Sequence, residues 1–88
     1  MGMVEAYILL KISIHKEMCG FARSVVGKLK SLKGVRDAEL LFGDYDAIVK
    51  LKGSKIHEIE NLVIEEIWMI DGVESTVTLL CVDEEILK

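Results

Sequence analysis

Phe42-Gly43-Asp44-Tyr45-Asp46-Ala47-Ile48-Val49-Lys50-Leu51-Lys52 lies mid-chain and decides how the rest is arranged. Gly43-Asp44 between two β-rich runs reads as a two-residue hairpin, because glycine adopts the positive φ that such turns require. Beyond it Tyr45, Ala47, Val49 and Leu51 alternate with Asp46, Ile48, Lys50 and Lys52. That period of two marks a strand. One strand-plus-helix unit stands on each side, so the hairpin joins two halves of one small fold.

Upstream, Val4 to Ile14 reads as the first strand, with Ala6, Ile8, Leu10, Ile12 and Ile14 on one face and Tyr7, Leu9, Lys11 and Ser13 on the other. His15 to Gly20 is a polar loop. Phe21, Ala22, Val25, Val26, Leu29 and Leu32 then form a helical stripe, and Gly34 closes that helix. Val35 to Phe42 is the second strand, with Val35 and Leu41 on one face and Ala38, Leu40 and Phe42 on the other. Asp37 and Glu39 make it polar-faced or an edge.

Downstream, Ser54 is the expected N-cap of a second helix. Its stripe is Ile56, Ile59, Val63 and Ile67, broadened by Leu62 and Ile70, with Glu58, Glu60, Glu65 and Glu66 outside. Gly72 ends it, Val73 to Val82 is the fourth strand, and Asp83 to Lys88 is a charged tail. The halves echo each other: Leu32-Lys33-Gly34-Val35 precedes the second strand, and Ile70-Asp71-Gly72-Val73 the fourth.

The order is βαββαβ in one domain spanning residues 1–88. With right-handed crossovers this gives an α+β, ferredoxin-like fold: a four-stranded antiparallel sheet with two helices on one face. Two helices cover one sheet face only, yet Tyr7, Leu9, Ile48, Leu80 and Val82 are expected on the other. So large an apolar face calls for a cover in so small a chain. The expectation is an obligate homo-oligomer, with the open face buried in a dimer.

Composition bounds the function. Fifteen acidic residues outnumber eleven basic ones, for a net charge of −4. Nucleic-acid modules carry a basic stripe, so direct DNA binding is disfavoured. No apolar run approaches the ~20 residues of a membrane helix. With no signal-like segment, a cytoplasmic protein without membrane association is expected. Cys19 and Cys81 lack metal-pair spacing, Cys81 reads as a small core hydrophobe, and no metal site or cofactor is assigned. His15 and Cys19 stand four apart, but on a loop.

Catalysis finds no nucleophile beside a base and no recognisable acidic pair. The loop His15-Lys16-Glu17-Met18-Cys19-Gly20 lacks both the arginine of a phosphate loop and the paired cysteines of a metal chaperone. The hairpin does gather Asp44, Asp46, Tyr45 and the Gly43 amide, although Asp and Gly are also what turns are made of. The last strand adds Ser75, Thr76 and Thr78. Thr76 and Thr78 share a face with Glu74, read here as the face without helices. Such groups suit a free amino acid: carboxylates or turn carbonyls for the ammonium, hydroxyls and turn amides for the carboxylate.

Gly43-Asp44-Tyr45-Asp46 before an apolar strand resembles the Gly-Asp/Glu-Tyr/Phe-Asp motif of the leucine-responsive/asparagine regulator (Lrp/AsnC) family. Gly72-Val73, with Thr76 and Thr78 four and six residues past the glycine, resembles that family's Gly-Val-x-x-Thr-x-Thr ending. The resemblance is to the C-terminal effector (RAM) domain and runs from about Val4 to Val82. It implies sheet-to-sheet dimers assembled into rings or larger oligomers, with amino-acid effectors bound between dimers near the turn. Carried over by motif, Gly43, Asp44, Tyr45 and Asp46 line that pocket, with Thr76 and Thr78 as further ligand-binding residues. About three residues precede the first strand, where full regulators carry a helix-turn-helix module. The expectation is a stand-alone effector-binding and oligomerisation module, not an enzyme, that modulates a full-length Lrp/AsnC-type transcription regulator.

Three other readings compete, one of them a purely structural protein with an empty pocket. An ACT-like amino-acid-binding domain shares the topology, with its ligand loop after the first strand, where Gly20-Phe21 stands. A small enzyme working in an inter-subunit cleft would use Asp44 or Asp46 as base and His15 or His57 as acid.

Overall fold

The computed structural model describes residues 3–13 and 19–81. Ile14, His15, Val82 and the Asp83–Lys88 tail lie outside them. The elements are β1 (Val4–Ile12), α1 (Cys19–Lys30), β2 (Val35–Leu40), β3 (Ala47–Gly53), α2 (Ile56–Asn61) and β4 (Val73–Leu80), with α2 running on as a π-helical segment, Leu62–Ile67. One antiparallel sheet has the order β2-β3-β1-β4. The expected ferredoxin-like arrangement is the one observed. Among the described residues no helix is long and apolar enough to cross a membrane.

The alternation in β1 and β3 sets the core. Ala6, Ile8, Leu10 and Ile12 of β1 and Ala47, Val49 and Leu51 of β3 are buried. They pack with Ala22, Val25, Val26 and Leu29 of α1 and with Ile59, Val63 and Ile67 of the second helix. Those last three stand four apart, a spacing that drifts around an α-helix of 3.6 residues per turn. The wider winding of the π segment counters the drift, and its Trp68 N–H reaches back five residues to the Val63 carbonyl at 2.9 Å. Ile56, expected in the stripe, is instead exposed.

The two halves repeat one device. Gly34 and Gly72 take φ of +98° and +105°. The following valines donate back over the turn, Val35 to Leu32 and Val73 to Ile70, each at 3.2 Å. One residue later each strand bulges. Val35 pairs Leu51 but Asp37 pairs Lys50, leaving Arg36 unmatched. Val73 pairs Ile12 but Ser75 pairs Lys11, leaving Glu74 unmatched.

A side-chain period of two means that one extra residue reverses the face of everything after it. Three expectations are corrected for that reason. Val35, Ala38 and Leu40 lie opposite Leu51, Val49 and Ala47 and so share the helix-covered face. Thr76, Thr78 and Leu80 lie opposite Leu10, Ile8 and Ala6, also on the helix side and not on the open one. The open face instead receives Ser75, Val77 and Leu79, opposite Lys11, Leu9 and Tyr7. Cys81, expected in the core, is exposed.

The open face is thus an apolar band edged by charge. Tyr7, Leu9 and Ile48 are half-buried, while Val77 is 38% and Leu79 49% exposed. Lys50 lies 5.5 Å from the Tyr7 ring centroid, and Glu5 stands between Lys50 (3.9 Å) and Lys52 (3.6 Å). The Tyr7 hydroxyl, with Glu5, holds the Lys50 ammonium above its ordinary pKa.

Ser54 is not the N-cap of α2. Lys55 takes that position without a side-chain bond. Ser54 instead donates its N–H (2.6 Å) and its hydroxyl (2.9 Å) to the Glu58 carboxylate. Those bonds hold Glu58 below its ordinary pKa.

Candidate functional site

The connection between β2 and β3 is longer than the two residues read from the sequence. Pairing stops at Leu40 and Ala47, and the Leu41 N–H donates to the Asp46 carbonyl at 2.9 Å. Phe42, Gly43, Asp44 and Tyr45 form the tip. Gly43 has φ +148°, a region that residues with a Cβ rarely adopt. Phe42 at the tip is fully exposed.

Three hydrogen bonds tie this turn to the last residues of β1. The Asp46 N–H donates to the Leu10 carbonyl at 2.8 Å. The Asp46 carboxylate accepts the Ile12 N–H, also at 2.8 Å. The Lys11 ammonium donates to the Asp44 carbonyl at 3.0 Å. Asp46 therefore continues the β1–β3 ladder beyond its last residue pair, using a side chain where the backbone has turned away. Asp44 is exposed, and its carboxylate has no hydrogen bond or ion pair among the described residues. Tyr45 is half-buried.

Thr76 belongs to the same end of the sheet. Leu10 pairs both Ala47 and Thr76, so the turn and the start of β4 flank β1 about 10 Å apart, two strand spacings. The side chains nevertheless sit on different sides. Trp68, half-exposed after the π segment, donates its indole N–H to the Thr76 hydroxyl at 2.9 Å. Thr78 lines a helix-side groove of about 400 Å³ with Ile56, Ile64, Trp68 and Leu80. On the open side Ser75 stands opposite Lys11.

Lys11 and Trp68 are the residues that sequence reasoning missed. Lys11 could have been found from the alternation Tyr7-Leu9-Lys11, which points it off the open face at the end of β1. Nothing in the sequence ties Trp68 to Thr76.

The acid–base pairing of an enzyme does not assemble among the described residues. His57 sits in α2, beyond the far end of β3 from Asp46, about 20 Å away at ~3.3 Å per strand residue. There it lies 3.4 Å from Glu60. Among the described residues no group of three or more His, Cys, Asp or Glu could hold a metal ion.

Known proteins share this fold. A profile for the Lrp/AsnC ligand binding domain matches residues 5–86. Homocitrate synthase of Sulfolobus acidocaldarius is 34% identical over 73 residues, which is 83% of this chain but 15% of that protein. The chain thus spans a small part of that enzyme's length. Among solved structures, FFRP-DM1 is 28% identical at a TM-score of 0.77, covering 90% of this chain and 99% of the other. Escherichia coli AsnC is 26% identical at a TM-score of 0.77, covering 91% of this chain and 51% of its own.

Proposed function

The chain belongs to the Lrp/AsnC ligand-binding domain family, and we propose that it binds a free amino acid at the Gly43–Asp46 turn and assembles through its open sheet face. The observation that carries this reading is the Asp44 carboxylate, exposed at the tip of a turn anchored to β1 and without a partner among the described residues. It is placed to receive an ammonium, and the neighbouring turn amides to receive a carboxylate. Gly43 gives the tip its shape, Tyr45 supplies a half-buried ring, and Asp46 holds the turn in place. Thr76 and Thr78, on the helix side of β4, reach a ligand only where a neighbouring subunit brings its own turn to them.

In this reading the assembled domain carries the amino-acid signal to a transcription regulator of the same family. It does not contact DNA itself, since its charge is −4 and phosphate binding needs clustered cations. A charge-assisted hydrogen bond contributes about 1.5–3 kcal/mol, so Asp44→Ala should weaken binding roughly tenfold to a hundredfold. The change should spare the fold, because this carboxylate supports no core residue. Calorimetry over the twenty amino acids, on wild type and Asp44→Ala, tests it. If no amino acid binds wild type, the reading fails. Equal binding to both proteins would mean that the site lies elsewhere.

A second reading rests on the 73-residue match inside homocitrate synthase. There the partner of the domain is a biosynthetic enzyme and not a regulator. Affinity capture from the native cell, with mass spectrometry, separates the two by the identity of the protein retained.

A further inference from the structure

We infer that Lys11 and Asp44 are the two charged ends of a receptor for a zwitterion, with Lys11 and the amides of the turn tip taking the ligand's carboxylate. This rests on the reading of the Gly43–Asp46 turn as the ligand site and adds to it the groups that hold the other end of the molecule.

The Lys11 ammonium donates to the carbonyl of Asp44 at 3.0 Å. It forms no ion pair with the carboxylate of that same residue among the described residues. A cation reaching over from β1 and an anion on the turn are therefore brought to one place without forming an ion pair. The carbonyl occupies one of the ammonium's three donors and leaves two. Backbone hydrogen bonds leave the turn at Leu41 and return at Asp46. The amides of the tip between them have no backbone acceptor among the described residues. The carboxylate end of a ligand thus meets the Lys11 ammonium and tip N–H groups together.

Ser75 pairs with Lys11 in the β1–β4 ladder and shares its face, but it stands on the opposite flank of β1 from the turn that the Lys11 ammonium reaches. Thr76 and Thr78 face the other way, and the Thr76 hydroxyl already accepts from Trp68.

Charge sets the selectivity. A bare amine meets Asp44 but is repelled by Lys11. A bare carboxylate meets Lys11 but is repelled by Asp44. A molecule carrying both charges a few bonds apart satisfies both. Lys11 also ends the open-face row of Tyr7 and Leu9, so a second copy seated on that face covers the site. Exclusion of water there strengthens both ion pairs relative to an exposed surface.

The test uses calorimetry on the intact protein. The twenty L-amino acids are titrated first, and then two derivatives of the tightest binder: its α-carboxamide, which keeps the ammonium alone, and its N-acetyl form, which keeps the carboxylate alone. Lys11→Met should weaken the amino acid roughly tenfold or more, one lost charge-assisted bond, and leave the carboxamide, freed of repulsion, bound at least as well as by wild type. Asp44→Asn should weaken the amino acid and leave the N-acetyl form, freed of repulsion, bound at least as well as by wild type. Lys11→Arg should restore near wild-type affinity, and this variant decides the matter where a derivative binds too weakly to measure. Circular dichroism and light scattering on each variant monitor fold and assembly. Equal binding of the amino acid to wild type and Lys11→Met overturns the inference alone. So does an equal loss for the amino acid and its carboxamide. If wild type binds no amino acid, the proposed function falls, and this inference with it.

Discussion

Leu79 and Leu80 are neighbours of almost equal exposure, 49% and 46%, on opposite faces of one edge strand. They provide a sharp test of assembly. Complete burial of a leucine side chain contributes about 1.5–3 kcal/mol, so covering the exposed half of Leu79 contributes about 1 kcal/mol. A two-fold dimer through the open face counts it twice, about 2 kcal/mol. Leu79→Glu forfeits that and brings two carboxylates into the interface, for a total loss of about 2–4 kcal/mol. The dimer dissociation constant should rise roughly 30- to 1,000-fold. Fold stability should change little, because the residue packs on no helix and Lys50 lies on the same face. Sedimentation equilibrium at micromolar concentration reads the outcome, with circular dichroism as control. Leu80→Glu, on the helix side, should leave the open-face dimer as in wild type. A wild-type monomer, or a Leu79→Glu protein that assembles unchanged, would refute the reasoning. Disruption by Leu80→Glu alone would show that the interface lies on the helix side.

Asp46→Ala removes the carboxylate that accepts the Ile12 N–H, which is part-buried; it should cost about 1.5 kcal/mol and lower the melting temperature by about 6–12 °C, and an unchanged melting curve would deny the carboxylate its anchoring role. Gly27 lies mid-way in α1 with nothing within 4 Å of an added Cβ. Gly27→Ala should therefore stabilise the protein by about 0.5–1 kcal/mol, measured by urea unfolding, and a loss of stability would show a contact not accounted for. Glu58 is held below its ordinary pKa by the Ser54 N–H and hydroxyl. Its folded value is thus below its unfolded one, so its bond to Ser54 stabilises α2 above the unfolded pKa and is lost as pH falls through the folded one. The Ser54 amide resonance should follow that acid titration in wild type and stay flat in Glu58→Gln; matching profiles would sink the assignment.

How much was legible in the sequence follows from where its periodicity is unbroken. Ala6-Ile8-Leu10-Ile12 and Ala47-Val49-Leu51 alternate without interruption, and both stretches are strand, on the face as read. In α1 the stripe residues Ala22, Val25, Val26 and Leu29 are buried, although the helix begins at Cys19, where the sequence reads a loop through Gly20. The glycine stops at Gly34 and Gly72 are as read, because sterics at positive φ act on single residues. The errors begin one residue after each Gly-Val, at Arg36 and at Glu74. A bulge there changes no composition and removes no apolar residue, so the strand remains visible while its phase is lost. Reading from Val73 inward gives Thr76, Thr78 and Leu80 the wrong face for that reason alone. The turn differs for another reason: Tyr45 and Asp46 continue the alternation of β3, and only the residue pairing, which stops at Ala47, shows that the strand has ended. A core tolerates such slips because any apolar residue on the right face contributes to it. A site does not, because its chemistry depends on which of two adjacent side chains points at the ligand. At β4 the choice is between Thr76, bound to Trp68, and Ser75, opposite Lys11. The strand that carries the hydroxyl could be named from the sequence; the hydroxyl that faces Lys11 could be named only from the register.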